Sequence, residues 1–211
     1  MNFETVEKSL ELISRELDEV QERRESILKE SRDVISLASR AIVSLHVGKS
    51  KEARSQLRSA GIALEELRRV AVPDLHRYLV PPEAEFVEAS ILHAVESVKP
   101  IPSHKDLGVA SASYLLGLLD AIGEIKRAVY DRIRQGRSGE ALDLFEIMER
   151  LYVLLSPFAV YDHVAQGVKR KLDVARILIE DTRAAVTEEI RRSEFMKSIG
   201  KLSRTLRPVS K

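Results

Sequence analysis

Residues 27–45 read Ile27-Leu28-Lys29-Glu30-Ser31-Arg32-Asp33-Val34-Ile35-Ser36-Leu37-Ala38-Ser39-Arg40-Ala41-Ile42-Val43-Ser44-Leu45. Ile27, Val34, Ile35, Ala38, Ile42 and Leu45 recur at helical steps and gather on one side of a helix. Lys29, Arg32, Ser36 and Arg40 fall along another stripe, opposite the apolar one. Basic side chains about a turn apart can follow a phosphate backbone, although Glu22, Glu25 and Asp33 could equally balance them on a solvated face. The same periodicity extends both ways and predicts one long helix over residues 2–47, ended by Gly48.

Further along, a second helix is predicted to Val70, and Pro73 and Pro81-Pro82 bracket a short helical turn. Helices then follow over about 83–98, 109–135, 139–155 and 164–195, with a one-turn segment from Ser103 to Gly108. No segment alternates with period two for long enough to form a strand. The expected fold class is therefore all-α, a single-domain bundle of about six to seven helices with short loops. The bundle is expected over residues 1–198, followed by a basic, flexible tail over 199–211.

The 211 residues suffice for a core without covalent staples, and the absence of cysteine excludes disulfides, zinc fingers, iron–sulfur ligation and thiol catalysis. No apolar run approaches membrane-spanning length and no signal peptide is evident, so a cytoplasmic location is expected. The formal net charge of +1 hides an asymmetry. Residues 191–211 carry seven basic side chains against one acid, +6 for that end, which leaves −5 for residues 1–190. Such a tail can hold anionic polymers by counterion release, or simply aid solubility.

Several chemistries are absent: there is no glycine-rich phosphate loop, no dinucleotide fingerprint and no zinc helix. His93 follows Ser90 at the position where a di-iron bundle would need glutamate. The acids say more. Glu85 and Glu88 stand three apart, and Asp120 and Glu124 four apart, so each pair shares one helix face. From Leu107 to Leu119 no residue is charged, so Asp120 interrupts a leucine-rich run where burying a carboxylate is costly. Either a hard divalent cation compensates, since Mg²⁺ and Mn²⁺ prefer oxygen ligands, or a base such as Lys126 or Arg127 does.

Three segments in order resemble one known family. The stretch Glu22 to Asp33, with Ser31-Arg32-Asp33, Ser39-Arg40 and the closing Leu45-His46, is similar to the N-terminal helix of the translin family. The match is closest to its catalytic branch, translin-associated factor X. Glu85-Phe86-Val87-Glu88-Ala89 resembles that branch's Glu-Tyr-Val-Glu-Ala. Tyr114-Leu115-Leu116-Gly117-Leu118, then Asp120 and Gly123-Glu124, resembles its Tyr-Leu-Leu-Gly-Val, Asp and Gly-Glu. Roughly residues 15 to 185 are covered.

The resemblance implies an all-α fold that assembles into closed, hollow octamers binding single-stranded RNA or DNA. It implies a Mg²⁺-dependent endoribonuclease, with Mn²⁺ as a substitute ion. The catalytic, metal-binding acids correspond to Glu85, Glu88, Asp120 and Glu124, and the residues holding nucleic acid to Lys29, Arg32 and Arg40. Translin proper lacks the full acidic set; a chain of this kind resembles a prokaryotic relative that assembles with itself. The alternative is a non-catalytic, oligomeric single-strand-binding protein. Phe86 and Ala121-Ile122 depart from the family pattern at positions that are not ligands, and the basic tail has no counterpart in it.

Overall fold

The computed structural model describes residues 3–71 and 73–205, without the side chains of Arg204 and Thr205. Among the described residues there are six α-helices: α1 (Glu4–His46), α2 (Ser50–Val70), α3 (Val80–Glu96), α4 (Ser111–Arg134), α5 (Ser138–Leu155) and α6 (Val168–Thr205). Short 3-10 helices span Pro73–Leu79 and Ser156–Tyr161. Among the described residues there is no strand, and the all-α expectation holds. The chain divides into two compact units, Met1–Gly117 and Leu118–Lys211.

In the first unit α1 packs on α2 and α3. Ile27, Val34 and Ala38 of α1 meet a core that includes Leu64, Leu67, Ile91 and Leu92. The buried Ala53 and Ala60 of α2 have no side chain beyond Cβ to hold a neighbouring helix away. Helix α3 is apolar nearly all round and correspondingly buried. It begins at Val80 rather than at the expected residue 83, because Pro81 and Pro82 fall in the first turn, where a missing N–H costs nothing. The buried carboxylate of Glu83 accepts from Arg68 Nε at 2.9 Å and from the Ala110 N–H at 3.1 Å, just ahead of α4. A buried charge with two charge-assisted bonds ties α2, α3 and the start of α4 together.

The expected one-turn segment from Ser103 to Gly108 is a single hydrogen-bonded turn, with the Leu107 N–H donating to the Ser103 carbonyl at 3.1 Å. The Ser103 N–H and hydroxyl both donate to Asp106, whose own N–H donates back to the hydroxyl. These bonds hold the Asp106 carboxyl below the usual carboxylate range. At the end of α3, Val98 takes a left-handed φ of 51° while its side chain is 94% exposed. A β-branched residue pays for this conformation and here gains no packing in return. Val98→Gly is expected to stabilise the fold by about 0.5–1 kcal/mol, after allowance for the freer unfolded chain. Thermal unfolding checks it, and an unchanged or lower midpoint contradicts the strain.

In the second unit α5 packs on α6, with Phe145, Met148, Leu172 and Ile179 buried. Ser138 donates to the buried Glu189 at 2.8 Å, and Arg192 Nε donates to the same carboxylate at 2.9 Å. Arg192 first, then Ser138, hold Glu189 below the usual carboxylate range. Helix α6 starts at Val168 because Asp162 accepts from the N–H groups of Gly167 and Lys169 in place of an earlier helical turn. It also runs past the expected end near 195 to Thr205, so residues 199–205 of the expected tail are helical. Residues 206–211 of that tail lie outside the described residues.

Candidate metal site and nucleic-acid face

Glu85 and Glu88 sit one turn apart on α3, both half-buried among Ala84, Phe86, Val87 and Ala89, all buried. An otherwise apolar helix thus carries two carboxylates that keep part of their surface in water. In the second unit, Asp120 and Glu124 are half-buried one turn apart on α4. Asp120 is ion-paired to Lys171 of α6. Glu124 lies 3.8 Å from Arg127. Lys126, the other base expected to neutralise these acids, instead pairs with Asp181, which Tyr130 also reaches with a 3.2 Å hydrogen bond. Those contacts hold the Asp181 carboxyl below the usual range, Lys126 being the larger cause.

Lys171 is a site residue that sequence reading missed. It stands 51 positions from Asp120, with no local motif to link them. Together they line a groove of about 250 Å³ with Gly123, Arg170, Val174 and Leu178. A Cβ at Gly123 would meet only Leu178, at 3.9 Å, so the glycine leaves this groove open.

Oxygen donors that are half-exposed suit a hard divalent cation, which keeps several waters. In kind, then, Glu85 with Glu88 on α3 and, taken separately, Asp120 with Glu124 on α4 offer donors of the type Mg²⁺ takes. Two observations qualify the fit. Among the described residues no three Asp, Glu or His side chains are gathered closely enough to hold an ion. One oxygen of Asp120 is already engaged by an ammonium group, which a cation would have to displace.

Lys29, Arg32 and Arg40 are all exposed on α1, on the side away from the buried Val34 and Ala38. Arg40 Nε donates back to the Ser36 carbonyl at 3.2 Å, which lays its side chain along the helix. A second cationic feature of the first unit was not foreseen. Arg54, Arg58 and Lys99 rim a shallow cleft of about 380 Å³ walled by Phe86, His93 and Pro102. Burial, then Lys99 and Arg54, push the His93 imidazole below its ordinary pKa, so the ring is neutral near pH 7.

No family model matches the chain. An uncharacterised protein of Methanocaldococcus jannaschii is 32% identical over 182 residues, covering 83% of this chain and 82% of that protein. Among solved structures, AfC3PO from Archaeoglobus is 29% identical with a TM-score of 0.79, covering 87% of this chain and 98% of its own. AfC3PO in complex with duplex RNA is 28% identical with a TM-score of 0.78, covering 87% and 97%. The fold alone is shared with apo-NeC3PO, at 24% identity and a TM-score of 0.73. The molecule is thus an all-α protein of the C3PO type. It belongs to the translin family, as a prokaryotic-type homologue similar to translin-associated factor X.

Proposed function

We propose that this chain is a Mg²⁺-dependent endoribonuclease that binds RNA and cuts it with little regard for sequence. The observation that carries the reading is the likeness, over 87% of the chain, to AfC3PO caught on duplex RNA. The four acids at the family's positions support the catalytic part. Glu85, Glu88, Asp120 and Glu124 are the carboxylates that would hold Mg²⁺, or Mn²⁺ in its place. When bound, a divalent cation supplies a water of lowered pKa and neutralises charge building on the phosphate. Lys29, Arg32 and Arg40 would bind phosphates, which positions a strand without reading its bases. Single-stranded RNA is the substrate, with single-stranded DNA as a further ligand, and the chain acts in the cytoplasm as a homo-oligomer, an octamer by family resemblance.

A second reading, an oligomeric binder without catalysis, has one observation in its favour. Asp120 is paired to Lys171, which gives this acid a structural reason to be present.

Binding and cleavage are tested on labelled single-stranded RNA, with duplex RNA beside it. Cleavage is expected in Mg²⁺ and not in EDTA, with retention in gel-shift under both conditions. Retention without cleavage supports the binder, and absence of both sinks the whole reading. Arg32→Ala with Arg40→Ala is expected to weaken binding at least about tenfold and to lower the slope of log affinity against log salt by about two. An unchanged slope would remove α1 from the nucleic-acid face.

A further inference from the structure

One apolar seam runs the length of α1 at steps of three and four. Its C-terminal half, Ile27, Ser31, Val34, Ala38, Ala41 and Leu45, is buried without exception. The same register continued toward the N-terminus passes Arg24, which donates to the Tyr78 hydroxyl at 3.0 Å. Beyond it the seam reads Phe3, Val6, Leu10, Ile13, Leu17 and Val20, every one between 39% and 62% exposed. A strict seven-residue repeat of this kind is the pattern by which one helix packs along another. The exposed half spans about 26 Å of helix at 1.5 Å per residue. Six large apolar side chains in register are more than the scattered single residues of an ordinary surface.

Charge selects the occupant. Residues 3–20 carry six acids against two bases, so a second α1 laid on the first would set like charges against each other. Another exposed apolar strip lies on α6, where Phe195, Met196, Ile199 and Leu202 are 44% to 65% exposed. Residues 191–203 around that strip carry four bases against one acid. The two surfaces match in chemistry and oppose in sign.

We propose that the Phe3–Val20 face of α1 packs against the Phe195–Leu202 end of α6 in a second copy of the chain. The inference rests on the reading that the chain assembles with itself, and adds which surfaces meet. The contact is heterologous, because each copy offers one acidic and one basic surface, and its repetition gives a ring where the rotation between copies closes and a filament where it does not. It also gives the basic end of α6 a partner other than nucleic acid.

The test is light scattering after size-exclusion, at low micromolar concentration, on three full-length proteins. Wild type is expected to be larger than the 23.8 kDa monomer. Ile13→Asp with Leu17→Asp on α1, and separately Ile199→Asp with Leu202→Asp on α6, should each at least halve the mass of the assembly. Circular dichroism should show both still helical, and the alanine versions should weaken assembly in the same direction. An equimolar mixture of the two variants should regain mass, since one intact α1 face then meets one intact α6 face. Full assembly of the α6 variant overturns the pairing, and so does a mixture that regains nothing. If wild type assembles and neither variant disturbs it, self-assembly stands and this surface falls. A monomeric wild type removes both.

Discussion

Gly117→Ala is expected to destabilise the protein by about 2–3 kcal/mol, which for a chain of this size lowers the midpoint of thermal unfolding by roughly 4–12 °C. A Cβ at this position would stand 2.5 Å from the backbone oxygen of Ala84 and 2.6 Å from Val87 Cβ. Neither neighbour can step aside. The first is main chain inside α3, and Val87 is fully buried on the same helix. Helix α4 approaches α3 this closely only because residue 117 has no side chain. Alanine would favour the helix by about 1 kcal/mol, and that gain is already subtracted in the expected net loss. Gly123, two turns on in α4, is the internal control. Its added Cβ meets a single side-chain atom at ordinary contact distance, so Gly123→Ala should raise stability by up to about 1 kcal/mol. Opposite signs at the two glycines would locate the close approach at Gly117. Equal signs would mean that α3 and α4 are not packed as described.

Helix α1 and the boundaries of α2 were legible because Gly48 and Ser50 give both a stop and a start, and the apolar period is uninterrupted on either side. The start of α3 was misplaced by three residues because proline was read as a barrier, whereas at a first turn it serves as an entry. The far end of α6 was cut short for the opposite reason. A basic run resembles a solvated tail, yet nothing between Ser193 and Lys201 breaks a helix except Gly200, whose cost is about 1 kcal/mol. The exposed half of the α1 seam was present in the sequence all along. Periodicity shows which residues share a face, but not whether the chain itself covers that face, and only the fold divides the seam at Arg24.

The acids show the same division. Their spacing on two helices was readable from residue numbers, since one turn separates i from i+3 or i+4. Their neighbours were readable only where the base is local, as Arg127 is to Glu124, because the other ions that neutralise a half-buried carboxylate come from anywhere in the chain. Lys126 and Arg127 are near Asp120 in sequence, yet the base that reaches it is Lys171 of another helix. Glu83 makes the point from the other side. It is a more buried acid than any in the proposed metal set, and its hydrogen bonds from Arg68 and Ala110 account for it as a structural brace. Burial of a carboxylate alone therefore does not single out the functional ones.

Asp120→Asn should reduce RNA cleavage in Mg²⁺ by at least about 100-fold while leaving RNA retention within about twofold of wild type. Losses of that order follow when groups around a metal are disturbed, and a ligand matters at least as much as the groups behind it. The amide keeps the shape of the side chain and removes its charge, so the burial of the adjacent Leu119 and Ala121 should survive. The ion pair with Lys171 would be lost, but both side chains keep about a third of their exposure, which limits the stability cost to about 1 kcal/mol or less. Lys171 then separates the two readings of Asp120. If Asp120 serves only as the partner of Lys171, Lys171→Gln and Asp120→Asn should cost the same stability, and neither should change cleavage. If Asp120 is a metal ligand, the ammonium of Lys171 competes with the ion for the same oxygen. Lys171→Gln should then preserve cleavage and lower the Mg²⁺ concentration at half-maximal rate, whereas Asp120→Asn should raise it or abolish the rate. Cleavage rates measured across a Mg²⁺ titration for the three proteins decide the matter. Coincident curves would return Asp120 to the role of a salt bridge, and curves displaced in opposite directions would make Lys171 the group that Mg²⁺ displaces.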